Sequence, residues 1–214
     1  VSGALIGKIC KRGVPEAASQ LTTPVTALCY NLMLAKLVGD IGVSTFSVLS
    51  FIYSLVNAIL SGTAQGLQPL WGLCYGERDT DRMNLYFRWG IRINAILSVV
   101  IYGLLFLFAE PVIQIFNRDP ELVQNASAAL PLFALSFIPM ALNLIYTAFL
   151  YSTKRTLQAD AISLSRGVVL KAAAIFCISV VLGIDVIWLA PFAAELLTLV
   201  LALELSRACK LVEC

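Results

Sequence analysis

The amino-acid sequence predicts an all-α integral membrane protein with six transmembrane helices, and two observations support this class. Hydrophobic residues make up 59% of the 214 residues and charged residues 13%, whereas soluble domains average about 45–50% and about 25%. The apolar residues also form six long runs. Each run can cross a hydrocarbon core of about 30 Å, which needs about 20 helical residues.

The six spans are recognised in order by the polar turns that separate them. The first span follows Gly13 and ends at Gly39, and the second runs on to a charged turn at 76–82, so it is long enough to tilt or protrude. Turns rich in glycine, proline and charge separate the remaining four spans. The predicted spans are 14–38, 42–75, 86–109, 127–151, 159–182 and 185–206, and the later turns are 116–120, 152–155 and 183–185.

The segments outside the spans are short. Residues 1–13 cannot cross a bilayer and have neither a starting Met nor the basic region and cleavage site of a signal peptide. They are interpreted as a cytoplasmic lead-in, the end of a truncated upstream element. Residues 14–206 form the membrane region, and residues 207–214 are predicted to be a cytoplasmic tail.

Lysine and arginine residues in the loops predict the orientation of the chain, because cytoplasmic loops carry an excess of both. Eleven of the fifteen lie on one predicted side and two on the other. Both termini are therefore expected in the cytoplasm, with the chain crossing the plasma or inner membrane several times. The eleven are Lys8, Lys11, Arg12, Arg78, Arg82, Arg88, Arg92, Lys154, Arg155, Arg207 and Lys210, and the two are Lys36 and Arg118.

Side chains that serve enzymes and metal sites are scarce in the sequence. It contains no histidine, and its six cysteines include no C-x-x-C pair, so neither a zinc site nor a disulfide framework is predicted. The H-E-x-x-H and G-x-S-x-G patterns are also absent. No catalytic residue, bound cofactor or nucleic-acid partner is expected, and any transported proton would have to be carried by a carboxylate.

The stretch "GTAQGLQPLWGLCYG" at 62–76 places small and polar residues inside an apolar span. At about 100° per residue they fall on one helix face, which Asn57 and four serines extend backwards. Lipid cannot satisfy amide groups, so this face must meet other helices or a water-filled cavity. A tight helix–helix seam would need only the small residues, whereas the glutamines and Asn57 favour a cavity. The face comprises Ser47, Ser50, Ser54, Asn57, Ser61, Gly62, Gln65, Gly66, Pro69, Gly72 and Gly76, with Gln68 at its border.

Two other spans carry similar polar faces. On the first span the face is Glu16, Ser19, Thr23, Thr26 and Tyr30, and on the fourth it is Ser136, Pro139, Asn143, Tyr146 and Thr147. Three such helices, each interrupted by proline, are typical of the walls of a transport path. Tyr30 and Tyr146 could hold a lipophilic cation by cation–π contact. The alternative is that tyrosines near span ends are interfacial anchors.

The run "GTAQGLQPLWGLCYGERDTDR" resembles the signature of the multidrug and toxic compound extrusion family. In that family a long helix ends in G-x-x-Q-G-x-Q-P-x-x-G-x-N-Y-G-A before a short loop and an arginine. The matching residues are Gln65, Gly66, Gln68, Pro69, Gly72, Tyr75, Gly76 and Arg82. Segments "GVPEAASQLTTPVTALCYN", "SFIPMALNLIYTAFLYSTKRTLQADAISLSRG" and "GIDVIWLAPFAAELLTLV" are similar to the family's seventh helix, its tenth helix with the start of the eleventh, and its twelfth. The resemblance covers residues 13–205 in order.

The resemblance implies an exporter of organic cations and drugs, driven by influx of H⁺ or Na⁺, with two six-helix lobes around a central cavity. This chain would supply the second lobe and would need a partner in the bilayer, either a first-half lobe or a second copy. The expected cavity lining is Thr26, Tyr30, Asn57, Gln65, Gln68, Asn143 and Tyr146. Cys74 stands at the motif's asparagine and Glu77 at its alanine, and "LTT" at 21–23 stands where one branch has a coupling carboxylate, so Glu16 is the nearest acid.

Two alternative functions stay open at this point. A flippase of lipid-linked sugars in the same superfamily would line its cavity with more arginine, and Arg166 and Lys171 inside the fifth span fit that interpretation. A non-transporting scaffold or a truncated half-transporter is the other, because one lobe cannot alternate access alone. An intramembrane enzyme lacks any supporting motif.

Lys171 and Glu195 form the last predicted feature. Both lie twelve residues from Gly183, at the turn between the last two spans, so at about 1.5 Å per residue they reach the same depth. An unpaired charge there would cost at least about 2–3 kcal/mol. We therefore expect Lys171 and Glu195 to pair, either as an ion-coupling pair that protonation breaks or as a permanent tie between the helices. The third possibility is that they face different ways and each contacts another helix.

Overall fold

The computed structural model describes residues 24–25, 27–28, 30–36, 38–166, 170–181 and 184–208. The described residues between 24 and 36 are helical, and no strand occurs in any of these ranges. The elements that follow are α1 (Asp40–Glu77), α2 (Thr80–Leu107), α3 (Ala109–Phe116), α4 (Pro120–Ala134), α5 (Phe137–Ser152), α6 (Thr156–Leu164), α7 (Leu170–Val181), a 3₁₀ helix (Ile184–Leu189) and α8 (Ala190–Ala208). The all-α class is confirmed for this part of the chain.

Three helical segments are long and apolar enough to cross a membrane, namely Asp40–Glu77, Thr80–Leu107 and Val186–Glu204. Counting α4 and α5 as one bent span adds a fourth. Six spans are not confirmed. Most of the predicted span 14–38 lies outside the described residues, and the predicted span 159–182 is described in two pieces, α6 and α7.

α4 and α5 meet at an angle of 44°. Pro131 lies inside α4, and a proline there removes one helical hydrogen bond. The helix then breaks at Leu135 and Ser136, where the Ser136 hydroxyl donates to the Phe133 carbonyl at 2.7 Å. The predicted fourth span, 127–151, is therefore a bent pair that begins earlier, at Pro120.

α5 lies at the centre of the described bundle and packs against α1, α2, α6 and α8. Its side chains Phe137, Met140, Ile145 and Phe149 are at most 1% exposed. A helix that buries its apolar residues on several sides is enclosed by other helices. Asn143 is therefore held inside the protein, whereas Tyr146 and Thr147 on the same helix are half-buried.

α1 and α2 approach each other closely at Gly90. A side-chain carbon at this position would lie 2.7 Å from the Cδ1 atom of Leu67 on α1. Small residues at helix interfaces let the backbones come together in membranes. Gly90 therefore sets the spacing between the two long helices.

Candidate functional site

α1 exposes the small and polar residues of its motif on one side of the bundle. We call this surface the open face; it comprises Gly62, Gln65, Gly66, Pro69, Gly72 and Gly76, each of which is exposed or half-buried. Side-chain carbons built on its four glycines would meet no atom within 4 Å. The opposite side of the helix buries Ala64, Trp71 and Cys74. The glycines of the open face are therefore free of close packing against the rest of the described bundle.

Asn57 precedes the open face on α1, and its side-chain oxygen is buried without a hydrogen-bond partner among the described residues. The serines beside it are satisfied within the helix. The Ser54 hydroxyl donates to the Ser50 carbonyl at 2.9 Å and that of Ser61 to the Ala58 carbonyl at 3.2 Å. A buried polar atom without a partner costs free energy, so the Asn57 side-chain oxygen can accept a hydrogen bond from a water, a ligand or another helix.

A cavity of about 270 Å³ lies between α1 and the helical residues that precede it. Its lining residues are Ala27, Asn31, Phe46, Ser47, Ser50, Phe51 and Ser54. The cavity therefore lies between the serines at the start of the polar face of α1 and the helical segment of the first span. That segment is also predicted to line the transport path.

Tyr30 and Asn143 lie inside the bundle, not on the open face. Tyr30 is 3% exposed, and its ring stacks on Phe46 with the ring centroids 4.7 Å apart. Asn143 on α5 is fully buried because α8 covers that side of α5. Both side chains are enclosed by neighbouring helices, and their expected role in lining the cavity stays a prediction.

The other expected lining and coupling residues divide into three groups. Gln65 is exposed, and Gln68 is half-buried on the neighbouring side of α1. Tyr146 is half-buried and directs its ring against Phe87, with the centroids 5.3 Å apart. Glu16 and Thr26 lie outside the described residues.

Five side chains from five parts of the chain form a buried polar group, which we call the charge cluster: Tyr53, Asn143, Arg166, Lys171 and Glu195. The Glu195 side chain is fully buried, and its Oε1 atom lies 3.1 Å from Nε of Arg166 and 3.8 Å from Nζ of Lys171. The Asn143 side-chain amide donates to Oε2 of Glu195 and to its backbone carbonyl, both at 2.9 Å. One carboxylate is thus shared by two cations.

Tyr53 connects the charge cluster to α1. The Lys171 ammonium donates to the Tyr53 hydroxyl at 3.3 Å and stands 5.0 Å from the centre of its ring. The predicted contact between Lys171 and Glu195 is present at 3.8 Å, and its role in transport stays a prediction.

Arg166, Tyr53 and Asn143 were not predicted to accompany Glu195, and Asn143 was expected to line the cavity instead. Equal distance from Gly183 matches Lys171 with Glu195, and it would match Arg166 with Val200. Ser165 and Arg166 instead form a π-helical turn at the end of α6, and such turns depart from regular α-helical spacing. The signal that could have identified Arg166 was the presence of a second cation, besides Lys171, inside the predicted fifth span.

The turn after α1 forms despite the two departures from the family pattern, Cys74 and Glu77. Arg78 adopts a left-handed conformation with φ of 57°. The Asp79 backbone N–H donates to the Cys74 carbonyl at 3.0 Å, and the Asp79 carboxylate caps α2 by accepting from the Arg82 backbone N–H at 3.0 Å. Cys74 itself packs inward, so the turn does not depend on its side chain.

Comparison with known proteins gives a consistent result. The family model MatE matches residues 15–176. The multidrug export protein MepA of Staphylococcus haemolyticus is 23% identical over 186 residues, which cover 86% of this chain and 40% of MepA. The chain thus spans about two fifths of this curated relative.

Two solved structures share the fold. An inward-facing multidrug resistance MATE family transporter of the MOP superfamily superposes with a TM-score of 0.89 at 18% identity, over 100% of this chain and 51% of that one. A MOP superfamily transporter from Pyrococcus furiosus gives 0.87 at 17% identity, over 98% and 47%. Because the MatE model matches well over half of the sequence, the chain belongs to the MatE family of multidrug and toxic compound extrusion membrane transporters.

Proposed function

We propose that this chain forms one lobe of a cation-coupled antiporter that exports organic cations by alternating access. The observation that carries the proposal is the open face of α1, where the glycines of the family motif lie unpacked beside an exposed glutamine, Gln65. A polar membrane surface of this kind requires water, a ligand or a second protein surface. The name of the MepA relative, a multidrug export protein, supports the substrate class.

A second six-helix lobe would face the open face, supplied by the first half of a longer chain or by another copy. The coverage supports this arrangement, since the chain matches 51% of one solved transporter. A cavity between two lobes would place Gln65, Gln68 and Asn57 on its wall, and rocking of one lobe against the other would expose it to each side in turn.

The coupling ion is proposed to be H⁺ or Na⁺, bound outside the charge cluster. Protonating Glu195 would leave Arg166 and Lys171 as neighbouring cations without a counter-charge, and a Na⁺ ion would meet the same two cations. Both outcomes are electrostatically unfavourable in a buried site. This geometry favours the second expectation for Lys171 and Glu195, a permanent tie between helices, with Glu16 among the remaining candidates for coupling.

Ethidium efflux from proteoliposomes tests the proposal, using the full protein together with any lobe that copurifies with it. We expect an imposed inward H⁺ or Na⁺ gradient to drive efflux. Gln65→Ala with Gln68→Ala should lower the initial rate about ten-fold, which corresponds to about 1.4 kcal/mol of lost interaction. Comparing the two gradients identifies the coupling ion.

Gln114→Ala is the matched control. Gln114 is an exposed glutamine on α3 that donates to Glu110 at 3.0 Å, away from the open face. It should transport normally. An equal loss of efflux rate in the control and in the double variant would contradict the assignment of this surface as cavity wall. An unchanged gradient-driven efflux rate in the double variant would contradict it as well.

A further inference from the structure

The charge cluster carries more positive than negative charge. Arg166 and Lys171 both contact Oε1 of Glu195, and Glu195 is the carboxylate that the structure places in contact with them within its described residues. Of the remaining members, Asn143 carries no charge and Tyr53 is counted as a neutral phenol. The described cluster thus carries one more positive than negative formal charge.

The donors of the cluster also outnumber its acceptors. An arginine and a lysine together offer about eight N–H donors. Among the described residues, the side-chain acceptors in contact with them are Oε1 of Glu195 and the Tyr53 hydroxyl. Oε2 of Glu195 accepts from Asn143, and the side-chain oxygen of Asn143 has no described partner. The 3.8 Å separation between Lys171 and Glu195 is longer than a hydrogen bond, so the ammonium group can take another acceptor.

The positions of the charges are ordered by depth. The Glu195 side chain is 0% exposed, whereas those of Arg166 and Lys171 are 17% and 16% exposed. A small ion that reaches the cluster from the surface therefore meets the two cations before the carboxylate. This order suits an anion and repels a cation.

We propose that Arg166 and Lys171 bind a small monovalent inorganic anion of the size of chloride at the outer edge of the charge cluster. The anion neutralises the excess charge and accepts hydrogen bonds from the guanidinium and ammonium groups. The proposal concerns an ion held within the bundle, and it does not depend on which substrate the protein exports.

Equilibrium binding of radiolabelled chloride to the purified protein in detergent tests the proposal, with gluconate keeping the ionic strength constant. Saturable chloride binding is expected, together with a higher unfolding temperature in chloride than in gluconate. Lys171→Gln should weaken binding at least about ten-fold, because it removes a charge in direct contact with the anion. Lys171→Arg should retain binding.

Glu195→Gln is expected to change the affinity for chloride in the opposite direction. Removing the carboxylate leaves two cations facing the anion, so chloride should bind at least about ten-fold more tightly and should stabilise this variant more than the unaltered protein. Arg118→Gln removes an exposed arginine from the loop before α4 and should leave binding unchanged. Size-exclusion profiles in chloride identify variants that do not fold.

Three results would overturn the proposal. The unaltered protein could show no saturable chloride binding. Lys171→Gln could bind as tightly as Arg118→Gln, which would place the anion elsewhere. Finally, the folded Glu195→Gln variant could bind chloride less tightly than the unaltered protein, which would show that the carboxylate belongs to a cation site.

Discussion

Asn94 joins three helices through one side chain. It is fully buried on α2, and its amide donates to the carbonyls of Leu60 on α1 at 3.3 Å and of Ala141 on α5 at 3.1 Å. Its side-chain oxygen accepts from the Thr63 hydroxyl. Interhelical hydrogen bonds of this kind hold membrane bundles together where hydrophobic burial does not distinguish lipid from protein.

Asn94→Ala should lower the free energy of unfolding by about 1–2 kcal/mol, since it removes these bonds and leaves buried polar groups unpaired. Unfolding of the purified protein in detergent, followed by circular dichroism, measures the loss. Asn125→Ala is the control, because Asn125 is exposed and donates only to Glu121 within its own helix among its described contacts. A loss in Asn125→Ala as large as in Asn94→Ala would contradict the structural role of Asn94.

At the scale of elements, two glycines on neighbouring helices have opposite surroundings. Gly90 on α2 is buried against Leu67, Trp71 and Ile145 of α1 and α5, whereas a side-chain carbon placed on Gly66 of α1 would meet no atom within 4 Å. Glycine in a helix costs stability relative to alanine unless close packing requires it. Of these two glycines, only Gly90 has that packing reason within the described bundle.

Gly90→Val should therefore destabilise the protein by about 1–3 kcal/mol through overpacking. Gly66→Val should leave stability unchanged or raise it slightly, because valine forms helix better than glycine. Thermal unfolding in detergent compares the two variants. Leu67→Ala combined with Gly90→Val should cost less than the sum of the single changes, since the two residues are in contact; strict additivity would show that the expected overlap with Leu67 is wrong.

For the whole molecule, the distribution of Lys and Arg predicts the orientation of the bundle in the membrane. The turn after α1 and the turn after α5 carry Arg78, Arg82, Lys154 and Arg155, while the loop between α3 and α4 carries Arg118. The structure places the first two turns at the ends of helices that pack along each other, α1 and α5. The asymmetry therefore applies to the bundle as one unit.

Topology reporters test this orientation. Fusions after Gly76 and after Thr153 are expected to report a cytoplasmic location, and a fusion at Asn117 an external one. An alkaline phosphatase and a fluorescent protein reporter at each position give reciprocal readouts. Alkaline phosphatase activity at Gly76 together with fluorescence at Asn117 would show that every helix has the opposite orientation from the one predicted.

Much of the helical framework could be predicted from local patterns. The limits of α1, Asp40–Glu77, lie close to those of the predicted span 42–75, because glycine and charged turns end apolar helices. The contact of Lys171 with Glu195 was also predictable, since hairpin geometry links sequence distance to depth. The short helix α3 was not predicted, because short helices leave no long apolar period to detect. The same patterns did not show that the predicted fifth span is described in two pieces, α6 and α7, or that the sixth begins with a 3₁₀ helix at Ile184–Leu189.

Composition and helical periodicity were enough to predict the membrane class and the face of α1 that carries the small and polar residues, and the resemblance of that stretch to a known signature indicated the family. The packing of the helices was needed to show that Asn143 and Tyr30 are enclosed, that Arg166 shares the carboxylate of Glu195 with Lys171, and that Asn94 ties three helices. The physical reason is that a helical pattern specifies an angle around one helix axis, and that angle does not identify the neighbour it faces. Burial and ion pairing depend on that neighbour.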